Sequence, residues 1–523
     1  MNMDTTKELE IVRRIRGNVH GTVDVTALED RVIAHPMVQR LRRIKQLAFL
    51  SYVFPGATHS RFEHFLGVMQ LAGFTWEKMR LNQKRLATSC GRYKDFAATE
   101  AKGVGGMVHG LLAPTFGVVD EVFNSPYALQ AVRLAALLHD MGHPAFSHSG
   151  ERFLPTWKEL LAKVKDVPPY LIEFLQKRCD DMAAAGKDPY KRRVRHEVYT
   201  LLLVDRMLNQ VNQELVKDKR QDLMIAPRDV ASIISPDILP VGGSILHKFG
   251  CYKLCNELIS GEVDIDRMDY LLRDSKECGV VYGIFDASRI QDSLTVYHDP
   301  SDGCMHLAIQ FSGLAAFEDY LRARHSMYLQ LYFHKTSVAA EAMMQHLATM
   351  LGGWTLPTDL DAYADLDEYN IEGALKAAGK AIKDDTERAR FNVLLKDLLR
   401  DRKLWKRVYE VSGKSPAEIE PMIAQACDLI AGMGQRFEQI SSTSSLTTFR
   451  PRRENEISRN YLRLIKKDAY QFPRVVPIED HTTLIDGDSR VQIARVYVED
   501  VKDAQGKSVP MAVKQLLTDK LRG

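Results

Sequence analysis

A chain of 523 residues with 45% hydrophobic content can bury a large core, and length alone allows roughly two to four domains or one large helical body with appendages. Lys plus Arg is 71 and Asp plus Glu is 68, a net charge of +3, which excludes a polycation built to coat nucleic acid and leaves phosphate recognition to local clusters. Seven scattered cysteines, whose nearest pair in "CYKLC" has no second pair to complete a zinc site, read as reduced, cytoplasmic thiols.

In chain order, the N-terminal "MNMDTTKELEIVRRIRG" carries charges where a signal peptide needs its apolar stretch, and no run approaches a membrane span, so a soluble cytoplasmic protein with no membrane contact is expected. Helical spacing then dominates. Apolar residues recur at three and four in "MVQRLRRIKQLAFL", "HFLGVMQLAGFTWEKMR", "ALQAVRLAALLHD", "DYLRARHSMYLQLYFHKTSVAAEAMMQHLATML" and "RFNVLLKDLLRDRKLWKRVYEV". Alternation in "CMHLAIQF" and "RVQIARVYVED" predicts a few short strands. The fold class expected is mostly α, with small peripheral β elements and a mixed α/β C-terminal region.

Two stretches interrupt the regularity, about 81–124 and 154–195, and read as excursions from a core over 1–350. A helical subdomain over 351–440 follows. The linker-like "SSTSSLTTFRPRRENE" then opens a basic, partly β segment over 441–523 that packs back on the core.

The chemistry concentrates in "LLHDMGHPAFSHSGE", Leu137–Glu151. The apolar run ends at His139 and Asp140, and Gly142 and Pro144 stop the helix. His139 and His143, four apart, would share a face if the helix persisted. Imidazole and carboxylate together suit Mn, Fe, Zn or Ni better than Mg. A metal needs about four to six donors, and His64 in "RFEH" and Asp264 or Asp266 in "EVDIDRMDY" offer the rest. An ionised Asp beside His in an apolar run needs compensation, and His143, His148 and His196 nearby favour a site over isolated core residues.

Taken together, "VHGTVDV", "HPMVQRLRRIKQLAFLSYVFPGATHSRFEHFLGV", "LLHDMGHPAFSHSGE", "RHE", "GEVDIDRMDYLLRDSKECGV" and "RARHSMYLQLYFHKTS" resemble the HD-domain dNTP triphosphohydrolases, which include bacterial dGTPases and the sterile-alpha-motif and HD-domain enzyme. The blocks span roughly 18–345. The resemblance implies an HD-domain helical bundle that hydrolyses dNTPs to deoxynucleoside and triphosphate, with one divalent metal held by His64, His139, Asp140 and Asp266. Manganese heads the metals it suggests, and Mg could accompany the triphosphate as a second ion. It implies His143 and His148 as catalytic histidines, His148 as the acid to the 5′-oxygen, and Glu151, His196 and Glu197 as the residues that hold and polarise it. Arg61, Arg267 and Arg324 would face the triphosphate. Gln46, Leu47, Tyr270, Asp274 and Tyr332 would surround the sugar, Asp274 accepting from the 3′-hydroxyl and Tyr270 crowding the 2′-carbon. A homo-oligomer is implied as well.

The pattern departs in places. The intervals His64–His139 and His148–His196 are longer than the family's. Ala34 and His35 stand where nucleotide-activated members carry an acid, Tyr328 stands where a relative has His, and no sterile-alpha-motif domain is visible. Two other functions fit parts of the sequence: an HD-type phosphodiesterase or nuclease acting on nucleic acid or a cyclic nucleotide, and a single-stranded nucleic-acid or nucleotide-binding regulator using "KRRVR" and the basic stretch holding Arg452, Arg453 and Lys466.

Overall fold

A computed structural model of the chain describes residues 9–90, 115–446, 462–467, 473–485 and 490–521. In chain order its helices are α1 (Ala27–Ala34), α2 (Arg61–Cys90), α3 (Thr115–Phe123), α4 (Pro126–Leu138), α5 (Trp157–Lys163), α6 (Pro169–Ala184), α7 (His196–Lys217), α8 (Pro227–Ile234), α9 (Cys251–Ser260), α10 (Ile265–Cys278), α11 (Leu314–Met327), α12 (Lys335–Met350), α13 (Ile371–Gly379), α14 (Asp385–Lys396), α15 (Pro416–Gly432) and α16 (Val509–Leu521), joined in part by shorter helical turns. Local chemistry starts them. Thr26 and Glu29 close a capping box on α1, Ser125 caps α4 with Pro126 at its first turn, and Asp264 caps α10 by accepting from Arg267 N.

The protein is mostly α. The long α2 packs along α4, and the fully buried Trp76 meets Phe123 edge to face at 4.6 Å between ring centroids. Between α1 and α4 lies a buried ion pair. Arg133 Nε and Nη2 donate to Glu29 Oε1 and Oε2 at 2.7 and 2.9 Å, and Gln130 donates to the same carboxylate at 2.8 Å. With every oxygen engaged, Glu29 stays buried without an unpaired charge.

The strands form three small sheets. β1 (Ile11–Arg16) and β2 (Thr22–Thr26) make a hairpin; β3 (Leu294–Asp299), β4 (Cys304–Gln310), β7 (Arg463–Lys467) and β8 (Pro473–Pro477) are ordered β3-β4-β7-β8, with β4 and β7 parallel; β5 (Lys406–Gly413), β6 (Phe437–Ser444) and β9 (Val491–Val498) are ordered β5-β9-β6. A second hydrophobic cluster, with Ile419, Ile423, Val496 and Val513, lies between the last sheet and α15 and α16. Among the described residues no helix is long and apolar enough to cross a membrane.

Several sequence expectations change here. "MVQRLRRIKQLAFL" is no continuous helix: it breaks into short turns around Lys45, which bridges to Ser60. "DYLRARHSMYLQLYFHK" also breaks, because α11 passes into a π turn over Tyr328–Tyr332 before α12 starts at Lys335. "RFNVLLKDLLRDRKLWKRVYEV" divides into α14 and β5, with Arg402 in a left-handed conformation at the break. β6 crosses the boundary expected at 440 and pairs with β9 throughout, so one sheet draws on both C-terminal segments. The first excursion begins later than expected, because Leu81–Cys90 still belongs to α2; residues 91–114 lie outside the described residues. The second is a helical pair, α5 and α6, whose ends are joined by the Thr156–Arg193 bridge.

Candidate active site

The residues of "LLHDMGH" gather where α4 ends. The helix stops at Leu138, so His139 and His143 do not share a helical face; a turn at Asp140–Gly142 sends the two imidazoles to different clusters. Gly142 makes this turn possible by close approach, since a Cβ there would lie 2.2 Å from Thr200 N and 2.3 Å from His196 O. Its N–H donates to Thr200 Oγ1 at 2.9 Å, which ties the turn to α7.

In the first cluster, His64 from α2, His139 and Asp266 from α10 converge. Asp266 Oδ1 lies 2.9 Å from His64 Nε2 and 3.3 Å from His139 Nε2. Both Nε2 atoms are buried and lack a hydrogen-bond partner. The opposite nitrogens are engaged: His64 Nδ1 lies 2.7 Å from Asp269 Oδ2, and His139 Nδ1 lies 2.9 Å from the carbonyl of Ala136. Anchored Nδ1 and unpartnered Nε2 atoms facing a carboxylate suit a divalent metal ion. The electrostatics agree. Burial opposes charge on His64, yet the carboxylates of Asp266 and Asp269 beside it hold its pKa at about 9; Asp266 resists the upward pull of burial and, beside His139 and His64, stays below the usual carboxylate range. The pocket favours positive charge. Asp264, the other acid considered for this role, lies away from it, capping α10 and pairing with Arg267 Nη1 at 3.2 Å.

In the second cluster, His143, His148, Glu151 and His196 come together. Glu151 Oε1 accepts from His148 Nδ1 at 3.1 Å and bonds His196 Nδ1, while the His143 and His196 rings stack at 3.5 Å. Burial pushes Glu151 up, but His148 and His196 outweigh it and bring the carboxyl to about 2. Burial likewise opposes charge on His196, and Asp140 and Glu151 raise it to about 10. Burial and the nearby Arg61 keep His143 neutral. Phe146 and Ser147, at φ 63° and 50°, hold the left-handed backbone that turns His148 into the cleft.

Asp140 joins the two clusters. Its Oδ1 lies 3.1 Å from His196 Nε2, and its Oδ2 lies 3.1 Å from Arg61 Nη1, 3.2 Å from His143 Nε2 and 3.8 Å from His139 Nε2. Both clusters open on a cavity of about 370 Å³ lined by Gln46, Leu47, Arg61, Asp266, Tyr270 and Asp274 among others. At one end Asp274 accepts from Tyr332 Oη at 2.7 Å and from the buried His59 at 2.8 Å.

Residues 285–431 match the family model described as HD associated region. The chain is 24% identical over 377 residues to human deoxynucleoside triphosphate triphosphohydrolase SAMHD1, covering 70% of this chain and 46% of that protein, and 22% identical over 432 residues to the zebrafish (Danio rerio) protein of the same name, covering 78% and 56%. It is 29% identical over 313 residues to the uncharacterized protein YwfO of Bacillus subtilis, covering 58% and 48%. The chain spans about half the length of these curated relatives. These likenesses place the chain among proteins similar to HD-domain proteins and phosphohydrolases. A solved phosphohydrolase from Bacteroides thetaiotaomicron has the same fold, with TM-score 0.56 and 22% identity over 93% of this chain and 99% of that one. So does a hypothetical protein from Aquifex aeolicus, with TM-score 0.57 and 21% identity over 97% and 100%.

Not every residue named from the sequence faces the cavity. Arg267 and Arg324 lie outside its lining; Arg324 Nη1 donates to the carbonyl of Leu446 at 3.2 Å and lies 3.8 Å from Glu262, with its guanidinium near the Tyr328 ring. Glu197 sits at the mouth of a separate groove, half-exposed, 3.6 Å from His196 Nδ1. His35 caps a short turn and bonds Gln210 at 2.9 Å. Of the basic residues, Arg193 donates to the carbonyl of Leu154 and Lys466 lies 4.9 Å from the Phe311 ring, whereas Arg452 and Arg453 lie outside the described residues.

Sequence reasoning missed Asp269, His20, His59 and Ser147. Asp269 holds His64, takes both Nε and Nη2 of Arg273 at 2.8 and 2.9 Å, and meets His20 Nε2 at 2.6 Å. Its signal was present, since Asp266, Asp269 and Arg273 fall at helical spacing on α10. Ser147 joins Arg61 Nε at 3.0 Å to the carbonyl of Lys45 at 2.7 Å, a contact with no motif signature.

Proposed function

We propose that this chain hydrolyses deoxynucleoside triphosphates to deoxynucleoside and triphosphate, using one divalent metal ion held by His64, His139, Asp140 and Asp266. One observation carries the reading: a single cavity joins the cation-favouring cluster to His148 and to Asp274. A bound cation supplies Lewis acidity toward a phosphate oxygen and lowers the pKa of water. Mn, Fe, Zn or Ni suits the donors, and Mg would accompany the triphosphate.

The protein's own groups supply the rest. His148, anchored through Nδ1 by Glu151, has its Nε2 available to protonate the leaving 5′-oxygen, a transfer worth roughly 100- to 10,000-fold. His196 holds Glu151, with Glu197 beside its Nδ1 adding negative charge, and neutral His143 packs against His196 while facing Asp140. Arg61, fixed by Ser147 and Asp140, offers a guanidinium to phosphate oxygens. Arg267 and Arg324 act from behind the wall, adding positive potential near Tyr270. Asp274 accepts from the 3′-hydroxyl, Tyr270 and Tyr332 crowd the sugar, and Gln46 and Leu47 close its other side. A homo-oligomer in the cytoplasm suits this reading.

The test is incubation of metal-loaded protein with each dNTP, with products resolved by anion exchange. Tripolyphosphate is the expected product. Pyrophosphate with monophosphate, or no turnover with any dNTP and metal, overturns the assignment; cleavage of an oligonucleotide or cyclic nucleotide in its place points to the phosphodiesterase reading.

A further inference from the structure

A stretch far from the histidines in sequence holds the backbone on which they stand. It comprises residues 356–368, between α12 and α13. Tyr363, fully buried on the short helix Leu360–Ala364, donates from Oη to the carbonyl of Gly142 at 2.6 Å. Since Thr200 already takes the Gly142 N–H, the peptide groups just after Asp140 are held from both sides. The next carbonyl, that of His143, accepts from Arg40 Nη2 at 2.9 Å, and Arg40 Nε donates to the carbonyl of Leu366 at 2.7 Å. The Tyr363 ring is itself fixed. It stacks on Tyr199 at 4.0 Å, and Tyr199 Oη donates to the carbonyl of Pro357 at 2.8 Å.

Glu368 acts on the phosphate side. Its Oε1 accepts from Lys45 N at 2.9 Å, and the N–H of Phe146 bonds the same carboxylate. The Lys45 carbonyl accepts from Ser147 Oγ at 2.7 Å, and Ser147 Oγ accepts from Arg61 Nε at 3.0 Å. Phe146 and Ser147 carry the left-handed backbone before His148, a conformation that persists only where the surroundings enforce it. Neither Tyr363 nor Glu368 lines the cavity, so each acts through other residues. A metal and phosphate site needs its groups held to within about 0.5 Å, which a turn built on glycine does not secure alone.

We infer that Tyr363 and Glu368 are positioning residues: the stretch 356–368 is a clamp that fixes the Asp140 turn for the metal ion and Arg61 for phosphate. The inference rests on the metal and phosphate reading of the cavity.

The experiment uses the full chain as wild type, Tyr363→Phe, Glu368→Ala and Glu368→Gln. It measures Mn affinity and then the affinity of the Mn-loaded protein for inorganic tripolyphosphate, with dNTP turnover and the urea midpoint recorded beside them. Tyr363→Phe keeps the stacked ring and removes only the bond to Gly142, so Mn should bind about 5- to 10-fold more weakly. Glu368→Ala should leave Mn affinity unchanged and weaken tripolyphosphate binding by about the same factor. Glu368→Gln, whose amide oxygen still accepts from Lys45 N, should recover part of that loss. Lower urea midpoints with unaltered affinities overturn the inference, as does an equal loss of both affinities in every variant. Weaker Mn binding in Tyr363→Phe without dNTP turnover in wild type removes the proposed reaction and keeps the clamp. Turnover in wild type with unaltered affinities in the variants does the reverse, and a wild type that retains no Mn overturns both.

Discussion

Asp269 Oδ2 lies 2.7 Å from His64 Nδ1, and a methyl group added at Gly67, one turn further along α2, would lie 1.9 Å from Asp269 Oδ1. The carboxylate that orients His64 therefore fits only because α2 carries no side chain at Gly67. Asp269→Asn should weaken metal binding about 10- to 100-fold while leaving His64 in place. Gly67→Ala should do at least as much by displacing Asp269 and Arg273 together. Metal titration followed by elemental analysis after desalting checks both; unaltered affinity in Asp269→Asn would show that His64 needs no such anchor.

Asp140 and His148 should fail in different ways. Asp140 touches both clusters, so Asp140→Ala should lose metal retention and turnover together. His148 meets the first cluster only indirectly, through Glu151, His196 and His143, so His148→Ala should keep the metal and lose roughly 100- to 10,000-fold in turnover. Metal content measured beside steady-state rates separates the two, and equal metal loss in both would reverse the roles.

The Glu29–Arg133 pair predicts a stability effect remote from the chemistry. Arg133→Met would leave Glu29 buried with a charge that the neutral donors Gln130 and Thr26 N cannot compensate, at a cost of about 3–5 kcal/mol. Urea denaturation should register this as a lower midpoint, and a loss under about 1 kcal/mol would mean that water reaches Glu29.

A pH effect follows from His306 on β4. Burial disfavours its charge, but Glu257 and Asp302 hold its pKa at about 9, above the ordinary 6.5. Because the folded value is raised, the stabilisation is complete below about 6.5 and is lost as pH climbs through about 9. The stability difference between wild type and His306→Gln should shrink by roughly 2 kcal/mol across that window. Denaturation at pH 6, 7.5 and 9.5 measures it, and a constant difference would show that His306 is neutral throughout.

The sequence by itself determined the helical class and the residue types from which the site is made, because apolar periods and His-Asp pairs are local patterns. It also carried the HD-domain likeness through the order of its blocks. Tertiary structure decided what convergence alone can decide. The sequence already ends the helix of "LLHDMGH" near Gly142, but only the fold ties the turn after Leu138 to α7 through Gly142, and a π turn breaks the periodicity of "RHSMYLQLYF" so that Tyr328 and Tyr332 face the cavity. The choice of Asp266 over Asp264 came from α10, where one acid caps the helix and its neighbour two residues on points to the histidines. Asp269 acquires meaning only in three dimensions, since a carboxylate is assigned a task by what lies opposite it across the fold.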